Sequence, residues 1–404
     1  MIDVPPFPWY RLTAETLPAE YAHVAARNGV LRVELIGGQP VWLFGSYDTY
    51  RRLMTDPAVS ADHSHPHYPA MSSVKRSRAS DGARPLLAYS GLDGEEHTHH
   101  RRLVDWAFAT QRIEAVDGAL AAVVEHELDE AFATGQRIDV AENLSVRIAI
   151  RCIMVFLGVP GASRSELGGV LAGLAAPELT MHRRQVLGQR LRTGVMTASG
   201  TANGRPGSVW EVLNESYGSG PLFSEMTASL LIAGTETMAR AVCSGLLVLR
   251  GGGDEAGARL VDTVQDRDRT VDEVLRVCGV ADLASMRVAA TDFEVCGHHI
   301  PRGDALVGLS ALADRDVSVF PEPTRLDFTR ERRSLAFGHG VHRCLGKHLA
   351  RAVLWHTWAG LVRRGALHRP LTVRWPGPSL RPLLYGPSAL TLNSACGHST
   401  ATGD

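Results

Sequence analysis

The chain has 404 residues, a mass of 43.6 kDa and a formal net charge of -1, which is enough for two or three average domains or one large one. Hydrophobic residues at 45% and charged residues at 21% are those of a globular protein with a substantial core, and the balanced charge leaves no basic footprint for a nucleic-acid partner. No uninterrupted apolar run of about 18 residues reads as a membrane span, and Met1-Ile2-Asp3-Val4-Pro5-Pro6 has neither the basic start nor the apolar segment of a signal sequence, so a cytoplasmic protein with no membrane partner is expected.

No long Gly/Ser- or Pro-rich linker divides the chain, and a single domain over 1–404 is expected. Leu31 to Ile36 and Pro40 to Phe44 flank Gly37-Gly38 and read as a β-hairpin. Ser46 is placed to cap a short helix through about Thr55. Residues 56–92, rich in Pro, Ser, His and Gly, read as a long functional loop. Helical periodicity then covers Glu95 to Phe108, about 116–134, 143–158 and, more weakly, 163–196. A long apolar helix follows from about Ser224 to Arg250, interrupted by Gly234-Thr235-Glu236-Thr237 and ended by Gly251-Gly252-Gly253. Thr270 with Glu273 three residues on suggests a capping box for a helix to about Cys278. Short strands are expected near 287–290, 293–295, 305–309, 371–375 and 388–393, with a helix after Cys344 and a frayed tail from 397.

Chemistry concentrates in a few places. Phe337-Gly338-His339-Gly340-Val341-His342-Arg343-Cys344-Leu345-Gly346 sets a cysteine just before a helix, in a loop whose glycines allow tight turns. The positive end of the helix and free backbone N–H groups favour a thiolate there. Two plainer readings are a buried free cysteine and a His339/His342/Cys344 zinc site, the second disfavoured by its short spacing and the lack of a fourth ligand. The other five cysteines (Cys152, Cys243, Cys278, Cys296, Cys396) are scattered and read as structural. His97 and Arg101 lie four apart and share a helix face; Glu273 and Arg276, three apart, can form an ion pair. Ala233-Gly234-Thr235-Glu236-Thr237 puts an acid and a hydroxyl in the middle of an apolar helix, where they could pass protons.

The motif Phe-Gly-x-Gly-x-His-x-Cys-x-Gly resembles the haem-binding loop of the cytochrome P450 family, and the other motifs follow in that family's order from about residue 30 to 355. The resemblance implies a mainly α fold with a small β region, a triangular prism, holding haem b on Cys344 between the 224–250 helix and the 337–346 loop. It implies that Phe337, Gly338 and Gly346 are cofactor-binding, Phe337 packing beside the thiolate, that His97, Arg101, Arg287 and His342 hold the haem propionates, and that Ala233 and Gly234 leave room for O2 above the iron. Glu236 and Thr237 would be the proton relay, and Glu273, Arg276 and Arg325 a bracing network. Substrate contacts would come from 60–90, 170–195, Ser229, Ile232, Leu283, Ser285, Met286 and a turn near 384–388.

The function so implied is a soluble, bacterial-type monooxygenase of specialised metabolism. It would hydroxylate or epoxidise a small molecule, free or tethered to a carrier protein, with electrons from NAD(P)H through a ferredoxin-type donor drawn by Arg102, Arg343, Lys347 and Arg351. A same-fold enzyme doing coupling, rearrangement or peroxide-driven chemistry is the alternative, and a non-enzymatic haem sensor a further one. Ala313-Asp314-Arg315-Asp316-Val317, the Gly/Asp-rich stretch 251–269 and the final fifty residues depart from the family pattern.

Overall fold

The computed structural model describes residues 5–9, 13, 16–69, 88–133, 137–176, 179–201, 204–262, 266–376 and 384–394. Cys396, the tail from 397 and residues 70–87 of the expected long loop lie outside them. After α1 (Tyr21–Ala25), the hairpin β1 (Val30–Glu34) and β2 (Pro40–Phe44) forms in the expected place, with Val30 opposite Phe44 and Glu34 opposite Pro40. α2 (Tyr47–Leu53) has Ser46 at its N-cap, but that hydroxyl makes no capping bond; the Tyr47 N–H donates to Asp316 Oδ2 at 3.0 Å. A distant carboxylate satisfies the free donor that a local serine was expected to meet.

β3 (Val59–Ser60) precedes a helical half: α3 (Gly94–Asp105), α4 (Thr110–Phe132), β4 (Ile138–Asp139), α5 (Ser145–Leu157), α6 (Arg164–Ala175), α7 (Met181–Thr201), α8 (Val209–Tyr217) and α9 (Pro221–Gly251). α5 stops at Gly158, whose φ of 78° cannot continue a right-handed helix. α9 is long and apolar enough to cross a membrane, yet most of it is buried, packed against α5, α6, α7 and α8. It is a core helix.

α10 (Gly253–Asp262) and α11 (Arg267–Cys278) follow, then β5 (Ser285–Ala289), β6 (Phe293–Val295), β7 (His298–Ile300), β8 (Ala305–Gly308), α12 (Ser310–Ala313), α13 (Lys347–Arg363), β9 (Leu371–Arg374) and β10 (Ala389–Leu392). The Gly/Asp-rich stretch holds α10, in which Ala256 and Leu260 bury an apolar side against the core. One expectation fails here. Thr270 is not a cap: α11 begins earlier, Thr270 is fully buried within it, and Glu273 pairs with Arg276.

The strands form a five-stranded sheet in the order β1-β2-β8-β5-β3, parallel only between β2 and β8, a three-stranded sheet β4-β10-β9 and the hairpin β6-β7. One large apolar cluster unites the helices, and two smaller ones flank the larger sheet. α13 crosses α9 closely. A Cβ on Gly245 would lie 2.0 Å from the Trp358 ring, whose indole N–H donates to the Val242 carbonyl at 3.1 Å. Deleting so large a buried ring would cost about 3–5 kcal/mol. This crossing sets α13, and the loop before it, against α9.

Candidate functional site

Two side chains on core elements are open where packing would be expected to close them. Ala233 is exposed midway along α9, while Ile232 and Thr235 beside it are buried. Cys344 is exposed too, yet its sulfur is crowded by protein. Desolvation is the largest influence on this thiol and raises its pKa, against the Gly346 N–H bonded to the sulfur and the charges of Arg101, Lys347 and Arg351. A side chain that solvent can reach but hardly solvates lines an internal cleft. The lowered pKa expected from the helix start is therefore not found, because burial outweighs it; a bound metal would deprotonate the sulfur outright.

The loop around Cys344 is held by its own backbone. The Cys344 N–H donates to the Phe337 carbonyl at 2.8 Å, the Gly338 N–H to Leu335 at 2.8 Å and the Arg343 N–H to Gly340 at 3.2 Å. Gly340 has a φ of 75°, and a Cβ there would sit 2.0 Å from the Met54 carbonyl oxygen, so only glycine fits. Gly346, at the N-cap of α13, has an ordinary φ of -82°; its smallness is not imposed by the backbone. The Phe337 ring lies 5.5 Å from the Arg351 guanidinium, and Arg351 is fixed by Asp272 at 2.6 Å and Asp268 at 2.9 Å. Arg351 is therefore a buried brace and leaves the expected donor-docking patch, of which Arg102 and Arg343 are exposed and Lys347 half-buried.

Beside the loop lies a seat of unmet polar groups. His97 and His342 stack with ring centroids 4.2 Å apart, and His97 Nε2 and His342 Nδ1 are both buried with no hydrogen-bond partner. Burial, then the charges of His342 and Arg101, pushes His97 down to about 4. Arg287 is buried, and among the described residues its guanidinium meets no carboxylate, only the Met286 carbonyl at 2.7 Å. Buried polar nitrogens and a buried cation left this way are costly unless a partner joins them, and an anion suits the cation and any ring N–H beside it. The two carboxylates of a haem fit that need. Arg101 differs from the other three: it donates to the carbonyls of Val341 and Arg343, both at 2.9 Å, and to Asp105 at 3.2 Å. Its observed bonds brace the loop.

The bracing network forms, with one member changed. Arg276, 1% exposed, pairs with Glu273 through two bonds of 2.8 Å and donates to the carbonyls of Asp314, Pro323 and Arg325. The Arg325 side chain, however, is exposed and paired with Glu322, and Arg330 reaches Glu273 at 3.2 Å instead. The chain turns at Glu322, which has a φ of 48°, and so only the Arg325 backbone faces inward. Asp327, whose N–H donates to Glu273, marks the start of the three-residue step to Arg330 that sequence reading passed over.

On α9, the Thr237 hydroxyl donates to the Ala233 carbonyl at 2.6 Å. Glu236 is held in a two-point ion pair by Arg184 of α7, at 2.7 and 3.2 Å. Nothing in the local sequence announces Arg184, 52 positions away. Gly234 does not open space on the Ala233 side: a Cβ there would press on Ile153 at 2.8 Å, so this glycine serves the close crossing of α5 and α9. The expected substrate contacts fare unevenly. Leu283 is packed into a cluster with Phe7, Trp9 and Tyr21, and the Ser285 hydroxyl is engaged by Tyr50 at 2.5 Å. The Ser229 hydroxyl donates to the Glu225 carbonyl, and Ser229 and Ile232 are buried; Met286 is half-buried. The turn at 384–388 meets α9 through Arg240, which donates to the Pro387 carbonyl at 3.3 Å. No zinc-like set forms around His339, His342 and Cys344 among the described residues.

Comparison with known proteins bears on the family and the fold. The family model for Cytochrome P450 matches residues 267–365. The chain is 32% identical to the Vitamin D3 dihydroxylase of Streptomyces griseolus, over 87% of each chain. It is also 32% identical to the 20-oxo-5-O-mycaminosyltylactone 23-monooxygenase of Streptomyces fradiae, over 88% of this chain and 84% of that one. Its fold matches the crystal structure of cytochrome P450 MoxA from Nonomuraea recticatena with a TM-score of 0.85 at 26% identity, covering 98% of this chain and 99% of that one.

Proposed function

The chain belongs to the cytochrome P450 family and is a haem monooxygenase, and we propose that Cys344 would hold the haem iron through its sulfur, with His97, His342 and Arg287 as the propionate seat and Glu236 and Thr237 as the proton relay. The observation that carries this reading is the cleft wall itself: Cys344 open but desolvated, beside two buried ring nitrogens that lack partners. When bound, the haem supplies the oxygen-inserting chemistry, with O2 as co-substrate and electrons from NAD(P)H through a ferredoxin-type partner.

The chain's own residues do the rest. The Gly346 N–H and three nearby cations favour negative charge on sulfur. Arg101 holds the loop carbonyls so that Cys344 and His342 keep their places. Ala233 keeps the α9 wall low above the cleft. Arg184 holds the Glu236 carboxylate, and loosening that pair lets the carboxylate take a proton from solvent and hand that same proton on toward the Thr237 hydroxyl. An acid and an alcohol kept on adjacent positions favour hydroxylation of a small molecule over coupling or rearrangement, which need no such relay. We read 1–404 as one unit working in the cytoplasm, in keeping with five described cysteines that are all free. Arg102, Arg343 and Lys347 form the surface we assign to an acidic ferredoxin.

The test is Thr237→Ala in the reconstituted enzyme. The thiolate spectrum should persist while product formed per electron consumed falls; unchanged coupling would remove Thr237 and Glu236 from the relay.

A further inference from the structure

Asp93 stands at the N-cap of α3, where a carboxylate usually bonds the free N–H groups of the first turn. It does not: its side chain makes no capping bond. It turns instead to accept from the Ser60 hydroxyl, the Ala61 N–H at 3.0 Å and His342 Nε2 at 3.2 Å. One carboxylate thus joins the segment after β3, the start of α3 and the Cys344 loop. The His342 side chain is 10% exposed and Asp93 38% exposed, so the bond runs from the protein's edge inward. With Nε2 engaged by Asp93, the other ring nitrogen, Nδ1, is the one left buried and without a partner, stacked on the equally unpartnered His97.

We propose that Asp93 is a positioning residue for haem: it accepts from Nε2–H of His342 and so turns the other ring nitrogen into the propionate seat, where a ring set between two carboxylates donates through Nδ1–H as well, as an imidazolium does. The inference rests on the reading of His342 as a propionate contact. An imidazole with one nitrogen unfixed can rotate about two side-chain bonds, and a partner on the far nitrogen removes that freedom, as outer partners do for histidines that bind metals. The sacrifice of the helix cap is consistent with this, since an N-cap bond contributes about 1 kcal/mol.

The experiment measures the rate of haem transfer from the holoenzyme to excess apomyoglobin, a readout independent of turnover. Asp93→Ala should speed haem loss by about tenfold. Asp93→Asn keeps an oxygen that can accept from Nε2 and should recover most of the difference. In a His342→Ala background, Asp93→Ala should add nothing. Equal acceleration in both backgrounds would overturn the proposal, because Asp93 would then act through Ser60 and Ala61 on the fold. No acceleration by Asp93→Ala alone would also overturn it. If His342→Ala itself left haem loss unchanged, the reading of His342 would fall and the role of Asp93 with it.

Discussion

The Cys344 loop and the roof over α9 are secured in opposite ways. On the loop side, backbone bonds within 335–344, a buried Glu273–Arg276 pair and a doubly anchored Arg351 leave few groups free to move. On the roof side, the polar link found between α7 and the relay is one ion pair, Arg184 to Glu236, whose arginine is 31% exposed. The difference teaches that the loop side is built to hold its shape, while the proposed relay sits at an ion pair that can open at small cost.

The strongest way to break that contrast is Arg276→Ala. It leaves the Glu273 carboxylate buried and stripped of its main partner, and a loss of about 3–5 kcal/mol is expected in urea unfolding; a loss near zero would mean the network does not brace the loop. Gly340→Ala comes next, at about 2–3 kcal/mol, since φ 75° and the Met54 carbonyl both oppose a side chain. The same substitution should lower haem content after purification.

Asp314 sharpens the comparison through pH. Its carboxylate accepts from the Ser334 hydroxyl and the Leu335 N–H, each at 2.7 Å, just ahead of Phe337. Burial raises it from 3.8 to about 7, against those bonds and the Arg276 charge. A folded pKa above the unfolded one means the fold favours the protonated acid, so this contribution is full below about pH 4 and is lost as pH rises through 7. Asp314→Asn should gain stability relative to the parent above pH 7 and flatten the profile from 4 to 7, on the order of 1–4 kcal/mol. Parallel profiles would rule this out. Arg184→Gln is the smallest in stability, within about 1 kcal/mol because the pair is partly solvated, yet it should alter product formed per electron. A large stability loss with coupling intact would reverse the contrast.

The same division governs what could be read from sequence. The Cys344 loop, the Glu273–Arg276 step and the His97 to Arg101 spacing are local patterns, and each lies on the element it predicted. What escaped was long-range. Ser46 and Thr270 look like caps, but tertiary bonds and an earlier helix start displace them. Arg325 and Arg330 differ only in which side of a turn faces Glu273. Arg184 and Asp93 owe their partners to packing between distant segments, which no spacing rule records. Leu283 was expected in the pocket from its place in the family pattern, yet its side chain packs into the N-terminal cluster.

The central claim is that Cys344 meets the iron as a thiolate. The most direct measurement is the carbon monoxide difference spectrum of the freshly purified, reduced protein, taken beside Cys344→Ser. The account predicts the red-shifted band of a thiolate-ligated haem in the parent and its absence in the variant. A band of the histidine-ligated type in the parent, or a thiolate band that survives Cys344→Ser, would contradict it.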